Sequence, residues 1–175
     1  YSHGTLHTLF KRIFRIFSLD WTQINEVLIL GFGAGSIAEI IASYKPKCAI
    51  TGVEIDSKVI ELGKKYFGNE QLKNNEIICS SADVFVKNTD KKFDLIIIDA
   101  FIDMKVPDEL ETLEFLKNIN KNLNKNGGVI FNKVIYTDEF ENQIPELYKL
   151  YENVFDSVKL ITVMETGKIF FARKL

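Results

Sequence analysis

The sequence has too few cysteines for a disulfide-rich protein or for a metal site made of cysteines alone. It contains two cysteines in 175 residues, Cys48 and Cys79, and each falls within an apolar run typical of a strand. Reduced cysteines in such runs behave as small apolar side chains, so the sequence favours free thiols over a disulfide framework or a metal site. We therefore expect a cytoplasmic protein that holds no metal.

Excess charge and long apolar runs are also missing. The formal net charge is −2, and basic residues are scattered apart from Lys11, Arg12 and Arg15. This pattern does not indicate a nucleic-acid partner. The longest apolar runs have the length of a strand, far short of the roughly 20 residues that a membrane span requires. We expect neither a nucleic-acid nor a membrane partner.

The order of apolar segments predicts one α/β domain that covers residues 1–175. Residues 1–20 are predicted to contain an N-terminal helix, because apolar residues recur there at helical spacing. Strand-like runs then alternate with helical stretches, which predicts a parallel sheet with helices on both faces. The predicted strands are 26–31, 48–54, 76–80, 94–99 and 128–134, and the helices lie near 35–44, 57–67, 82–87 and 108–124.

The C-terminal part is predicted to close the sheet with a hairpin. A helix is expected over about 138–153, where Pro145 kinks or interrupts it. The apolar runs 157–163 and 169–173 are joined too briefly for a parallel connection. The sequence thus predicts a Rossmann-like, mostly parallel sheet with an antiparallel C-terminal hairpin. The Asn- and Lys-rich stretch 118–128 is interpreted as a solvated turn.

The stretch "LILGFGAGSIAEII", residues 28–41, predicts a strand, a tight turn and a helix N-terminus. Gly31, Gly33 and Gly35 leave the backbone bare, so a ligand can approach it and meet the N–H groups of the helix. The dinucleotide fingerprint requires a glycine at position 36, where this chain has Ser36. The turn therefore disfavours an NAD-linked dehydrogenase.

Glu54 closes the second predicted strand, 19 residues after Gly35. A carboxylate at this place can accept hydrogen bonds from both hydroxyls of a ribose. A charged residue at the end of an apolar strand costs free energy without such a partner. Asp56, by contrast, is interpreted as the N-cap of the following helix.

The most specific motifs follow the predicted helix near 82–87. In "FDLIIIDAFIDMKVPDELETLEFLKNINKNLNKNGGVIFN" these are Asp99-Ala100-Phe101, Val106-Pro107, Leu110, Thr112, Glu114-Phe115 and Gly127-Gly128-Val129. Together with the glycine turn, this pattern resembles class I S-adenosylmethionine-dependent methyltransferases, and more closely their spermidine synthase-like branch. The resemblance covers about residues 26–134.

The resemblance implies a seven-stranded sheet and a cofactor, S-adenosylmethionine or its decarboxylated form. The glycine turn would contact the methionine portion and Glu54 the ribose. The adenine contact would come from Ser81 or from Asp83, although Asp83 is also a candidate helix N-cap. The implied cofactor contacts are Gly31, Phe32, Gly33, Gly35, Glu54, Ile55, Ser81, Ala82, Asp83 and Asp99.

Two carboxylates are the candidate catalytic residues. The positive sulfur is already an activated leaving group, so catalysis depends mainly on positioning. An amine nucleophile would also need a carboxylate that holds it and removes its proton. The resemblance assigns this role to Asp99 and Asp103, although Asp103 lies one residue further along than in aminopropyltransferases.

Other departures from that branch favour methyl transfer. Ala34 stands where spermidine synthases carry an aspartate, which favours a donor that keeps its carboxylate. Asn132, Lys133 and Tyr136 replace a Gln/Glu pair, and Lys133 would repel a polycationic amine. We therefore expect a methyltransferase acting on a small molecule. The alternatives are an aminopropyltransferase and a non-catalytic cofactor-binding domain, and the resemblance also suggests a homodimer.

Overall fold

The predicted alternation of apolar runs folds into a single sheet in the computed structural model, which describes residues 3–67, 75–103, 105–163 and 166–175. The strands are β1 Glu26–Leu30, β2 Ala49–Glu54, β3 Asn75–Cys79, β4 Phe93–Ile98, β5 Leu123–Val134, β6 Ser157–Val163 and β7 Gly167–Arg173. The helices are α1 His3–Ile16, α2 Ser36–Tyr44, α3 Ser57–Phe67, α4 Ala82–Asn88, α5 Leu113–Asn122, α6 Asp138–Asn142 and α7 Ile144–Glu152.

The sheet has seven strands in the order β3-β2-β1-β4-β5-β7-β6. Strand β7 is antiparallel to both of its neighbours, and the other pairs are parallel. This confirms the predicted Rossmann-like fold with its C-terminal hairpin. The strand order reverses between β1 and β4, so their carboxyl ends open a crevice where such folds bind ligands.

Both faces of the sheet are buried. Along β1, Val27 and Ile29 face one core cluster, which includes apolar residues of α1 and α2. Leu28 and Leu30 face the other cluster, which includes residues of α4, α5 and α7. The apolar face of α1 is thus used within the chain, so it does not by itself call for a second copy. The homodimer stays a prediction.

Strand β5 corrects the interpretation of 118–128 as a solvated turn. It begins at Leu123, five residues before the predicted start. Phe93 pairs with Leu123 but Leu95 pairs with Gly128, so the intervening residues of β5 form a bulge. Asn126 in this bulge has φ +64°. A carboxylate stabilises it, because Asp94 accepts a hydrogen bond from Asn124 over 2.7 Å.

The helices differ from the prediction at one place. The stretch predicted as a single helix over 108–124 begins as a 3-10 turn, Asp108–Glu111. Thr112 then caps α5, because its side chain accepts a hydrogen bond from the Phe115 N–H over 3.2 Å. The expected interruption near Pro145 is confirmed, since α6 ends at Asn142 and α7 begins at Ile144.

Both cysteines are free thiols; Cys48 is buried, whereas Cys79 is exposed on the edge strand β3. Within the residues that the structure describes, no helix combines the length and the apolar character needed to cross a membrane. The same residues contain no cluster of His, Cys, Asp and Glu suited to a metal ion.

Candidate active site

The glycine turn is held tightly against β2 and β4. The Val53 carbonyl accepts hydrogen bonds from the N–H groups of Gly31 and Phe32, over 2.9 and 3.0 Å. Gly31 has φ +83°, and a Cβ there would lie 2.4 Å from the Asp99 carbonyl oxygen. Only glycine suits this position, because the backbone that follows β4 passes directly against it.

Gly33 leaves open space on the cavity side of the same turn. Its φ is +55°, and a Cβ built there would meet no atom within 4 Å. Gly35, with φ +89°, ends the turn as the residue that precedes α2. Backbone this bare forms a cradle with space for a ligand against the turn. The ligand contact itself stays a prediction.

Glu54 is fixed in place before any ligand binds. Its two carboxylate oxygens accept hydrogen bonds from the N–H groups of Gly33 over 2.8 Å and Asp56 over 3.1 Å. Each oxygen keeps a further lone pair, since a carboxylate has about four acceptor positions. The carboxylate can therefore accept two more hydrogen bonds, which is what the vicinal hydroxyls of a ribose offer.

These residues line a cavity of about 250 Å³ at the carboxyl ends of the strands. All the site residues predicted from the sequence line it, except Gly35 and Asp103. Its lining is Gly31, Phe32, Gly33, Ala34, Ser36, Ile37, Val53, Glu54, Ile55, Ser80, Ser81, Ala82, Asp83, Asp99, Ala100, Phe101, Ile102, Pro107, Glu109 and Leu110.

Two residues of the cavity remain candidates for the adenine contact. Ser81 is the N-cap of α4, and its hydroxyl makes no capping hydrogen bond. Asp83 lies in the first turn of that helix, so the interpretation of Asp83 as the N-cap is wrong. Both Ser81 and Asp83 line the cavity, and the choice between them as adenine partner stays open.

Asp99 stands at the end of β4, where its N–H donates to the Leu30 carbonyl over 2.8 Å. Its carboxylate accepts a hydrogen bond from Nδ2 of Asn132 over 2.8 Å. Although Asp99 keeps part of its surface open to the cavity, burial raises the pKa of its carboxyl to about 7, and the hydrogen bond from Asn132 opposes that rise. A carboxylate with a pKa near neutrality is suited to accept a proton.

Asp103 lies outside the cavity. It is exposed, has φ +56°, and belongs to a turn in which Ile102 and Lys105 exchange backbone hydrogen bonds of 2.9 and 3.1 Å. Aspartate tolerates this left-handed backbone better than most residues. A direct role for Asp103 in proton transfer would require this turn to move.

One wall of the cavity follows that turn, and sequence reasoning did not assign it to the site. We call residues 105–111 the strap; Pro107, Glu109 and Leu110 of the strap line the cavity. The signal was present, because Val106-Pro107 and Leu110 are among the motifs of the family resemblance. Their direction could not be predicted, because it depends on how the strap packs on the sheet.

A buried ion pair ties the strap to β5. Lys133 pairs with Glu111, and the exposed fractions of the two side chains are 4% and 15%. The ammonium also lies 3.4 Å from Oε1 of Gln143 and 5.6 Å from the ring centroid of Phe140. The expected repulsion of an amine by Lys133 is therefore not supported, since Glu111 neutralises its charge and Lys133 does not line the cavity.

The described charged side chains that line the cavity are all acidic. The described residues that line it include four acids, Glu54, Asp83, Asp99 and Glu109, and no basic side chain. Such a site attracts cations and repels phosphate groups. The cavity therefore fits a sulfonium compound better than a dinucleotide.

Comparison with known proteins finds similarity to polyamine aminopropyltransferases. A probable polyamine aminopropyl transferase of Bifidobacterium longum is 29% identical over 153 residues, which are 86% of this chain and 34% of that protein. A polyamine aminopropyltransferase of Saccharolobus solfataricus is 32% identical over 139 residues, or 71% of this chain and 46% of that protein. This chain thus spans between a third and a half of the length of these relatives.

The same fold recurs among solved structures. A probable spermidine synthase from Corynebacterium glutamicum superposes with a TM-score of 0.80 at 21% identity, covering 93% of this chain and 60% of that one. At this identity the likeness shows the fold alone. The family profile of the spermine/spermidine synthase domain matches residues 12–168, nearly the whole chain. On this match, the chain belongs to the spermine/spermidine synthase domain family.

Proposed function

We propose that this chain is the donor-binding and catalytic core of an aminopropyltransferase. The names of its relatives support this alternative better than the methyl transfer expected from the sequence. Its donor would be decarboxylated S-adenosylmethionine, and its acceptor a small amine. The donor supplies an activated sulfonium, whose neighbouring methylene carbon forms a bond to the amine nitrogen as its bond to sulfur breaks.

The observation that carries the proposal is the acidic lining of the cavity. Decarboxylated S-adenosylmethionine has two positive charges, whereas the intact compound adds a carboxylate. Glu54, Asp99 and the other acids of the lining would attract both positive charges and repel that carboxylate. The single charge sign of the cavity therefore favours the decarboxylated donor.

The residues of the site have separate roles in this reaction. Glu54 would hold the ribose, and the bare backbone at Gly33 would admit the chain attached to sulfur. Asp99 would accept the proton that the amine loses, because its pKa of about 7 lets the same carboxylate bind an ammonium and remove its proton. Asp103 would contact the far ammonium of a diamine from outside the cavity.

Methyl transfer from intact S-adenosylmethionine is the second candidate. It is supported by Ala34, an uncharged residue of the turn that lines the cavity. With no acid at this position, the carboxylate of the intact donor meets less repulsion there. The two candidates differ in the donor that is consumed, so a product assay separates them.

The test is to incubate the protein with each donor and a panel of diamines that includes putrescine. Mass spectrometry then detects methylthioadenosine and the aminopropylated amine. We expect these products with the decarboxylated donor alone, and a kcat lower by about 10²- to 10⁴-fold in Asp99→Asn. Asp103→Asn should raise the KM for the amine and leave kcat nearly unchanged.

Methylated products formed from the intact donor would contradict the proposal. So would aminopropyl transfer that Asp99→Asn leaves unchanged, because the proton acceptor would then lie elsewhere. Binding of either donor without any product would favour the non-catalytic alternative.

A further inference from the structure

Asn132 is a polar residue in the buried part of β5, next to the proposed base. Phe131 pairs with Ile98 across the parallel strands, so Asn132 lies beside Asp99, the residue that follows β4. Its exposed fraction is 1%. Its Nδ2 donates to Oδ1 of Asp99 over 2.8 Å.

The oxygen of this side-chain amide makes no hydrogen bond within the described part of the chain. Oδ1 of Asn132 is buried and has no hydrogen-bond partner among the described residues. A buried unsatisfied oxygen costs free energy that a leucine of similar size would avoid. The contribution of Asn132 must therefore come from its Nδ2, and the described acceptor of Nδ2 is Asp99.

We propose that Asn132 is a positioning residue, which keeps the Asp99 carboxylate ionised and in a fixed orientation for the amine. Its role in catalysis rests on the aminopropyl transfer proposed above. Its effect on Asp99 does not, because that effect follows from the contact alone.

The physical reason is that Nδ2 stabilises only the charged form of the carboxyl group. Desolvation raises the pKa of Asp99 and the hydrogen bond from Asn132 lowers it. The other titratable side chains around the cavity are Glu54 at the end of β2, Asp83 of α4 and Glu109 of the strap. All are acids, and none of them donates a hydrogen bond to Asp99.

Asn122 provides a matched control elsewhere in the fold. It is fully buried, its Nδ2 donates to the Val86 carbonyl over 2.7 Å, and its Oδ1 also lacks a hydrogen-bond partner among the described residues. The variants Asn132→Leu and Asn122→Leu therefore remove the same groups from similar surroundings. Only Asn132→Leu removes a contact with Asp99.

The direct test follows the carboxyl carbon of Asp99 by NMR over a pH titration. The protein carries ¹³C-labelled aspartate, and the Asp99 signal is assigned by its loss in Asp99→Asn. We expect the pKa of Asp99 to rise by about one unit in Asn132→Leu, the size expected for loss of a hydrogen bond to a charged group. It should stay unchanged in Asn122→Leu. If Asn132→Leu does not fold, Asn132→Ala is measured in the same way.

The kinetic test uses the same variants. A rise of one unit lowers the ionised fraction of Asp99, so kcat/KM of Asn132→Leu should fall about fivefold near pH 7 and recover near pH 9. An unchanged Asp99 pKa in Asn132→Leu would overturn the proposal, and so would an equal shift in Asn122→Leu. A shift of the expected size in a protein that transfers no aminopropyl group would support the effect of Asn132 on Asp99 and refute the proposed function instead.

Discussion

At the scale of single residues, two glycines of one turn serve different purposes. Gly31 lies against the backbone of Asp99, whereas Gly33 faces open space. Both have positive φ, so both resist a side chain through backbone strain. Only Gly31 adds a steric clash to that strain.

This difference predicts unequal effects of the same substitution. Gly31→Ala should lower the free energy of unfolding by more than about 3 kcal/mol, because the added Cβ clashes with backbone. Gly33→Ala should cost only about 1–2 kcal/mol of backbone strain, yet weaken donor binding because the methyl group occupies the cradle. Urea unfolding and donor titration of the two variants check this. Equal stability losses would show that the turn is not held as described.

The burial of the Asp99 carboxyl lowers the stability of the folded protein by an amount that depends on pH. Burial raises the pKa of its carboxyl in the folded state to about 7, well above the usual range of an aspartate, so between about pH 4 and pH 7 the native state keeps a proton that the unfolded state loses. Stability from this group is therefore present at low pH and is lost as the pH rises toward 7. Above pH 7 the native protein holds a poorly solvated carboxylate.

Asp99→Asn should consequently raise the melting temperature at pH 8 and change it much less at pH 3, where the native state and most of the unfolded state of the wild type carry the proton. Thermal unfolding followed by circular dichroism at the two pH values measures this. An equal change at both values would mean that Asp99 is solvated in the folded protein.

At the scale of elements, the strap depends on its buried ion pair with β5. Removing one partner leaves the other charge buried, which costs about 3–5 kcal/mol. Lys133→Met should therefore destabilise the protein by that amount, and Lys133→Met/Glu111→Met should recover most of the loss. The surface pair Lys87–Glu114, with side chains 65% and 74% exposed, is the control; breaking it should cost less than about 1 kcal/mol.

Denaturant unfolding of these variants and of Glu111→Met alone gives the coupling between Lys133 and Glu111. Additive effects of the two single substitutions would contradict the ion pair. A stable double variant with weakened donor binding would show that the pair acts by placing the strap against the cavity.

The elements also show which parts of the fold could be predicted from the sequence. The succession of strands and helices along the chain and the glycine turn could be, because alternating apolar runs and the residues that end strands leave local signals. The start of β5 could not, since Asn and Gly residues favour a turn and the bulge depends on pairing with Phe93. The contacts Lys133–Glu111 and Asn132–Asp99 join residues 22 and 33 positions apart, so no local pattern indicates them.

At the scale of the whole molecule, the formal net charge is only −2, although the described charged residues that line the cavity are all acidic. The described lining of the cavity contains acids and no basic residue, so charge is the property that distinguishes the candidate ligands. The fold itself does not distinguish them, because related folds serve different chemistries. The choice of donor is therefore the central claim of the account.

Isothermal titration of the protein with decarboxylated and with intact S-adenosylmethionine tests that claim most directly. We predict tighter binding of the decarboxylated donor, and a loss of about tenfold or more in Glu54→Gln, because that carboxylate would hold the ribose. Glu61→Gln, a change at an exposed residue of α3, should bind as the wild type does. Tighter binding of intact S-adenosylmethionine, or wild-type affinity in Glu54→Gln, would contradict the account.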